Sequence, residues 1–102
     1  MAPVNLFYTC KAEDDLDSIF NYLAENNPTA AFDYIERMRW AIENLSISPC
    51  MGIDCKSKGI DRDCRVLIFE KYLIFYQFNK DSNEIAILRI LHGSRRYQDL
   101  LT

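Results

Sequence analysis

Glycine is scarce in this chain. Gly52, Gly59 and Gly93 are its only glycines, and their spacing builds neither a G-x-G-x-x-G dinucleotide loop nor a Walker A phosphate loop. A single histidine, His92, excludes any metal or catalytic set that needs two imidazoles. No apolar run approaches the roughly 18 residues of a membrane span. The start, Met1-Ala-Pro-Val-Asn5, lacks the basic stretch and apolar run of a secretory leader, so a cytoplasmic protein without membrane contact is expected. The four cysteines, Cys10, Cys50, Cys55 and Cys64, are too far apart for zinc pairs, and neither metal nor cofactor is expected. In a reducing compartment they read as free, mostly buried thiols, with Cys50 and Cys55 close enough in one loop to pair on oxidation.

What is present is the composition of one small folded domain. The 102 residues are 49% hydrophobic and 13% aromatic, enough for a real core, and residues 1–102 are read as a single domain. The net charge of -3 hides an asymmetry: nine acids face three bases in residues 1–55, and six acids face nine bases in residues 56–102. The second half therefore suits an acidic partner better than the first. An acidic chain remains poorly matched to tight nucleic-acid binding, which relies on a basic surface that neutralises phosphates.

Periodicity assigns the elements. Val4 to Tyr8 reads as a short strand. Leu16, Ile19, Phe20 and Leu23 share one helical face, predicting a helix from about 11 to 25 whose acids Glu13, Asp14, Asp15 and Asp17 form a solvated face. Asn27 is a suitable N-cap and Pro28 a suitable first residue for a second helix, whose apolar face runs Ala31, Ile35, Met38, Ile42, Leu45 as far as Ser46. Phe20, Tyr34 and Trp40 are expected to pack in the core or between helices. A loop from Pro49 to about Asp63 precedes three strands: Cys64 to Phe69, Tyr72 to Phe78 and Glu84 to Leu91. A short helix from about 95 to 101 closes the chain. The expected fold is α+β, ordered β-α-α-β-β-β, with a helical hairpin on a mostly antiparallel four-stranded sheet.

The chemistry concentrates at the end of the chain. The last strand stops at His92-Gly93 and is followed by Arg95, Arg96 and Tyr97, a cationic and aromatic group at the rim of a sheet. His92 can move protons near neutral pH, and with Arg65, Arg89, Arg95 and Tyr97 it supplies the residue types of a phosphodiester-cleaving site. If the strands bring their ends together, Arg65 joins Arg95, Arg96 and Tyr97 in one patch; otherwise Arg65 pairs locally with Asp63 or Glu70.

Taken in order, several pieces resemble a known family. They are the Asp15-Leu16-x-x-Ile19-x-x-Tyr22-Leu23 helix, the Asn27-Pro28-x-x-Ala31 start, the Leu45-x-x-x-Pro49-x-x-Gly52 exit, Arg65 opening a strand, Tyr72-x-Ile74-x-Tyr76, and Ile90-Leu91-His92-Gly93-x-Arg95-Arg96. From residue 4 to 101 the chain resembles the RelE/ParE superfamily of bacterial type II toxins. That resemblance implies a cognate antitoxin encoded beside it, which silences the toxin and through which the complex contacts operator DNA. RelE-like members cleave mRNA on the ribosome, whereas ParE-like members poison DNA gyrase. The nuclease branch holds phosphate with basic side chains where this chain has Leu67 and Leu73, and its catalytic tyrosine aligns near Leu101 rather than Tyr97. The His-Gly-x-Arg-Arg ending is closer to the ParE branch. The resemblance thus implies a gyrase-binding toxin that arrests growth by binding and not by chemistry of its own, with Arg65, His92, Arg95, Arg96 and Tyr97 at the target surface. The alternatives are an mRNA endonuclease using Arg65, His92 and Arg95, or a degenerate, non-toxic complex partner.

Overall fold

A computed structural model describes residues 4–94. The elements are β1 (Asn5–Tyr8), α1 (Cys10–Ala24), α2 (Pro28–Glu43), β2 (Ile53–Asp54), β3 (Arg65–Phe69), β4 (Tyr72–Asn79) and β5 (Glu84–His92), with single 3-10 turns at Asn44–Ser46 and Cys55–Lys58. The fold is α+β, as expected, but the sheet has five strands in the order β1-β5-β4-β3-β2. The additional strand is the two-residue β2, which pairs Ile53 with Val66 and Asp54 with Arg65. So short a strand, inside a segment with no alternating pattern, carries no periodic signal. Only β1 runs parallel to its neighbour, β5; the other pairings are antiparallel. The expected helix at 95–101 lies outside the described residues.

Local chemistry starts each helix. Thr9 caps α1, its Oγ1 accepting from Ala12 N at 3.2 Å, and Asn27 caps α2, its Oδ1 accepting from Ala30 N at 3.1 Å with Pro28 next in line. The two helices lie on one face of the sheet. Ala12, Leu16 and Ile19 of α1 and Ile35, Met38 and Ile42 of α2 bury against Tyr72, Ile74 and Tyr76 of β4 and Ile85, Ile87 and Ile90 of β5. On the opposite face, the 55–64 loop folds over Val66, Phe75 and Leu91 and forms a second, smaller cluster with Ile60.

Two side-chain readings are corrected. Trp40 is 68% exposed and packs in neither cluster, whereas Phe20 and Tyr34 do lie against the main core. The cysteines divide differently as well. Cys55 and Cys64 form a buried disulfide in the second cluster, and Cys10 and Cys50 are free and exposed. The cause is register: Cys55 and Cys64 continue the β2–β3 ladder, with Cys55 N donating to Cys64 O at 2.9 Å and the Cα atoms 5.4 Å apart, a spacing that suits a disulfide.

Two polar connections tie the layers together. Asp15 accepts from Arg89 Nε at 2.8 Å, from an Arg89 terminal nitrogen at 3.0 Å and from Ile90 N at 2.9 Å, fastening α1 to β5. This happens beside a β-bulge: β4 pairs Phe75 with Arg89 and Tyr76 with Ile87, leaving Leu88 unmatched. Thr9 Oγ1 lies 2.9 Å from Ile87 O and 3.1 Å from Leu88 O, so the same residue that caps α1 also serves the bulge. The second connection is at Tyr76, whose buried hydroxyl donates to Pro49 O and accepts from Gly52 N, both at 2.8 Å. Arg65 completes it by donating to Gly52 O at 2.9 Å.

Gly52 is required there by close approach. A Cβ at that position would sit 2.5 Å from the Tyr76 hydroxyl and 2.9 Å from Val66 O. Gly52→Ala is therefore expected to destabilise the fold more than Tyr76→Phe. The latter orphans one buried N–H and loses about 1–3 kcal/mol. Urea unfolding of both variants checks the ranking; equal and small effects would remove the Tyr76 knot as a determinant of the exit from α2.

Candidate functional site

Where the helical hairpin meets the ends of β4 and β5, the surface opens into a groove of about 730 Å³. Tyr22 of α1, Tyr34 of α2, Tyr72 of β4 and His92 of β5 line it, with Glu70 and Lys71 of the β3–β4 turn at its rim. Tyr22 is 69% exposed although it follows Ile19 on the inner side of α1, so its ring forms a wall of the groove and not part of the core. Tyr34 meets Phe69 and Tyr72 edge-to-face at 5.6 and 6.1 Å, and Tyr72 meets His92 at 5.3 Å. The rings thus hold one another in a continuous aromatic lining.

Burial keeps two of these phenols, Tyr34 and Tyr72, protonated. Burial first, then the Glu70 carboxylate, push the Tyr34 phenol up to about 12. Arg37 bridges the rim: its guanidinium lies 5.2 Å from the Tyr34 ring centre and 3.2 Å from Glu70 Oε2. Burial also raises Tyr72, as it raises Tyr8 and Tyr76 elsewhere in the molecule. At the groove mouth, His92 Nδ1 lies 3.1 Å from Ser94 N, which donates to it, and 2.7 Å from Ser94 Oγ. The imidazole is thereby oriented, with Nδ1 engaged.

The residues singled out from sequence do not gather in one place. Arg65 opens β3 opposite Tyr76, whereas His92 ends β5 opposite Tyr72. Four residues along β4 and two strand spacings put their backbones about 16 Å apart. Arg65 is half-buried and pairs with neither Asp63 nor Glu70. Its guanidinium donates to the carbonyls of Gly52 and, at 3.4 Å, Cys50. Arg89 is engaged by Asp15. Leu67 and Leu73 lie on opposite faces of the sheet, packed against the main and the second cluster respectively. Arg95, Arg96 and Tyr97 lie outside the described residues. Among the described residues, no group of three or more His, Cys, Asp or Glu side chains is placed to hold a metal ion.

Asp15 is the residue that the sequence reading misplaced. It was one acid among four on a solvated face, yet it sits half-buried under β5; its only distinguishing signal was its place in the Asp15-x-x-x-Ile19 pattern of the family resemblance. The aromatic groove itself left no signal, because Tyr22, Tyr34 and Tyr72 come from three separate elements.

This arrangement, two helices on one face of a five-stranded sheet, is the frame of a type II toxin of the ParE/RelE superfamily. The chain belongs to the ParE toxin family of type II toxin–antitoxin systems, whose model matches residues 6–97. Among solved structures it is similar to a chain of the chromosomal ParDE toxin–antitoxin system from P. aeruginosa: 24% identity, TM-score 0.70, covering 87% of this chain and 95% of that one. It is also similar to a chain of the RelBE2 toxin–antitoxin complex from Mycobacterium tuberculosis: 20% identity, TM-score 0.61, covering 89% and 99%. At those identities the structural likeness concerns the fold. No curated protein matches the chain.

The phenols generate a test. A folded-state value raised above the ordinary 10.0 means that the folded chain holds these protons more tightly than the unfolded chain. Their contribution is fully present below about pH 10 and is lost as pH rises toward 12. Phenolate absorbance should therefore develop late and track unfolding. Full ionisation near pH 10 in a chain that stays folded would contradict the burial of these rings.

Proposed function

We propose that this toxin acts by binding, as a ParE-like inhibitor of DNA gyrase that arrests growth in the cytoplasm, the whole of residues 1–102 serving as one toxin domain. The observation that carries this reading is the use made of the cations. Arg65 and Arg89, the described arginines that a phosphate-cleaving centre would need, bind internal acceptors, and the open groove presents phenols. Stabilising the charge of a phosphorane requires donors aimed at it, and Leu67 and Leu73 supply none. Among the described residues His92, with Nδ1 turned to Ser94, has neither of these arginines beside it. Family membership supports the same branch.

The partner follows from the shape of the groove. A small antitoxin encoded beside the toxin would lay an apolar helix or an extended segment across Tyr22, Tyr34 and Tyr72, and the outer edge of β3 past Val66 offers a place for strand addition. The toxin–antitoxin complex would reach operator DNA through the antitoxin. Arg95, Arg96 and Tyr97, with His92, are proposed as the target surface. Arg65, half-buried in the Tyr76 knot, acts on that surface only by holding the exit from α2 in place.

Induced alone, the chain should cause gyrase-linked DNA breaks and leave ribosome-bound mRNA intact, and His92→Ala should not alter the RNA. Replacing both Arg95 and Arg96 with alanine should abolish growth arrest in a chain whose circular dichroism and urea unfolding match the parent's. Site-specific mRNA cleavage that disappears with His92→Ala would overturn the assignment in favour of the nuclease.

A further inference from the structure

A disulfide closes the second cluster of a chain whose cysteines read as free thiols from sequence. Cys55 and Cys64 are 0% and 4% exposed, and with Ile60 they are the side chains through which the 55–64 loop reaches Val66, Phe75 and Leu91. The outside of the loop is polar, with Lys56, Ser57, Lys58 and Asp61 all exposed. Its backbone hydrogen bonds from Gly59, Ile60, Arg62 and Cys64 end on carbonyls of the same loop, those of Lys56, Cys55, Ile60 and Arg62. They fold the loop on itself without fastening it to the sheet.

The fastening rests on other contacts. Ile60 seats in the second cluster, and Gln77 Nε2 of β4 donates to Asp63 O at 2.9 Å. At the base of the loop β2 is held to β3 by the two short pairings of Ile53 with Val66 and Asp54 with Arg65, and the disulfide comes next in that ladder. It joins residues nine apart. Closing so short a ring removes conformational freedom that a lifted loop would have, which lowers the open population about a hundredfold.

We infer that Cys55–Cys64 is a redox latch on the 55–64 loop. In the reduced chain the thiolate of one of the two cysteines attacks a small-molecule disulfide such as oxidised glutathione and releases one of its thiols; the second cysteine then displaces the other thiol from the mixed disulfide. Two electrons and two protons pass from the pair to the small molecule, which ends as two thiols. The closed form shields itself. Both sulfurs lie under the loop that they lock, so an attacking thiolate reaches them only when the loop lifts, and the bond suppresses that lifting. In the reduced chain the loop is free to leave Val66, Phe75 and Leu91, and Lys56 and Lys58 become cleavable backbone. The latch thereby ties the lifetime of the chain to the thiol–disulfide balance around it.

The test equilibrates the full chain with oxidised or with reduced glutathione, removes the glutathione, and digests each form with trypsin under native conditions. Part of each sample is denatured and alkylated, and mass spectrometry counts the thiols. The oxidised chain should show two, Cys10 and Cys50, and the reduced chain all four. Cleavage after Lys56 and Lys58 should be about a hundredfold faster in the reduced chain, with cleavage elsewhere changed far less. Replacing both Cys55 and Cys64 with serine should give fast loop cleavage in either buffer, whereas replacing both Cys10 and Cys50 with serine should keep the full difference. The inference is overturned by four thiols after oxidised glutathione, by a bond between any other pair such as Cys50 and Cys55, by equal loop cleavage in the two forms, or by cleavage that spreads over the whole chain on reduction.

Discussion

The carboxylate of Asp15 is the constraint on which the arrangement depends. It collects three donors from two consecutive residues of β5, two from the Arg89 guanidinium and one from Ile90 N. Both side chains are largely shielded, at 17% and 13% exposure. A bidentate pair of this kind is directional, so it sets the angle of α1 on the sheet where hydrophobic contact alone would let the helix slide. It also satisfies the backbone beside a bulge, where the ladder itself leaves Leu88 unmatched. With α1 fixed, α2 follows through the short Glu25–Asn27 connection, and the aromatic groove acquires its shape because its walls, Tyr22, Tyr34 and His92, stand on those three elements.

A second polar knot does the same for the far end of the hairpin. Tyr76 reaches from β4 to the carbonyl of Pro49 and the amide of Gly52, while Arg65 reaches from β3 to the Gly52 carbonyl. Four residues of the family pattern, Pro49, Gly52, Arg65 and Tyr76, thus meet in one small volume. Their spacing in the chain reflects the need to end α2 and start the edge of the sheet, a structural role in which the arginine is held by backbone oxygens. Two arginines that look catalytic in isolation are therefore held by acceptors of the fold itself, and the groove among the described residues is lined by aromatic rings.

Much of the fold is legible in the sequence. Helical periodicity, the Asn27-Pro28 cap and the alternating strands gave elements within a residue or two of those found, except that α2 ends at Glu43 and a 3-10 turn takes the chain on to the expected Ser46, and Thr9, an unremarked neighbour of the first helix, supplies its cap. Features that depend on contacts between distant segments were not legible. The two residues of β2 have no pattern of their own; the Cys55–Cys64 pairing requires the β2–β3 register; Asp15 resembles its three neighbouring acids until β5 is laid over it. Trp40 was misread for a different reason. It lies two residues beyond Met38, off the Ala31–Leu45 face, and its size suggested a core role that its angular position denies. Of the candidate site, His92 was placed correctly at a rim, but Arg65 is held by loop carbonyls some four residues away along β4, and the phenols that build the groove emerge only from the three-dimensional assembly.

If Asp15 and Arg89 act as one structural unit, their effects on stability must be strongly coupled. The most direct measurement is a double-mutant cycle by urea unfolding of Asp15→Ala, Arg89→Ala and the double variant. Each single change should cost about 2–4 kcal/mol, because it leaves a partly buried charge or amide without its partner. The double change should cost far less than the two together, with a coupling of about 1–3 kcal/mol. Additive effects, or an Asp15→Ala chain as stable as the parent, would contradict the account and return Arg89 to the list of groups available for phosphate.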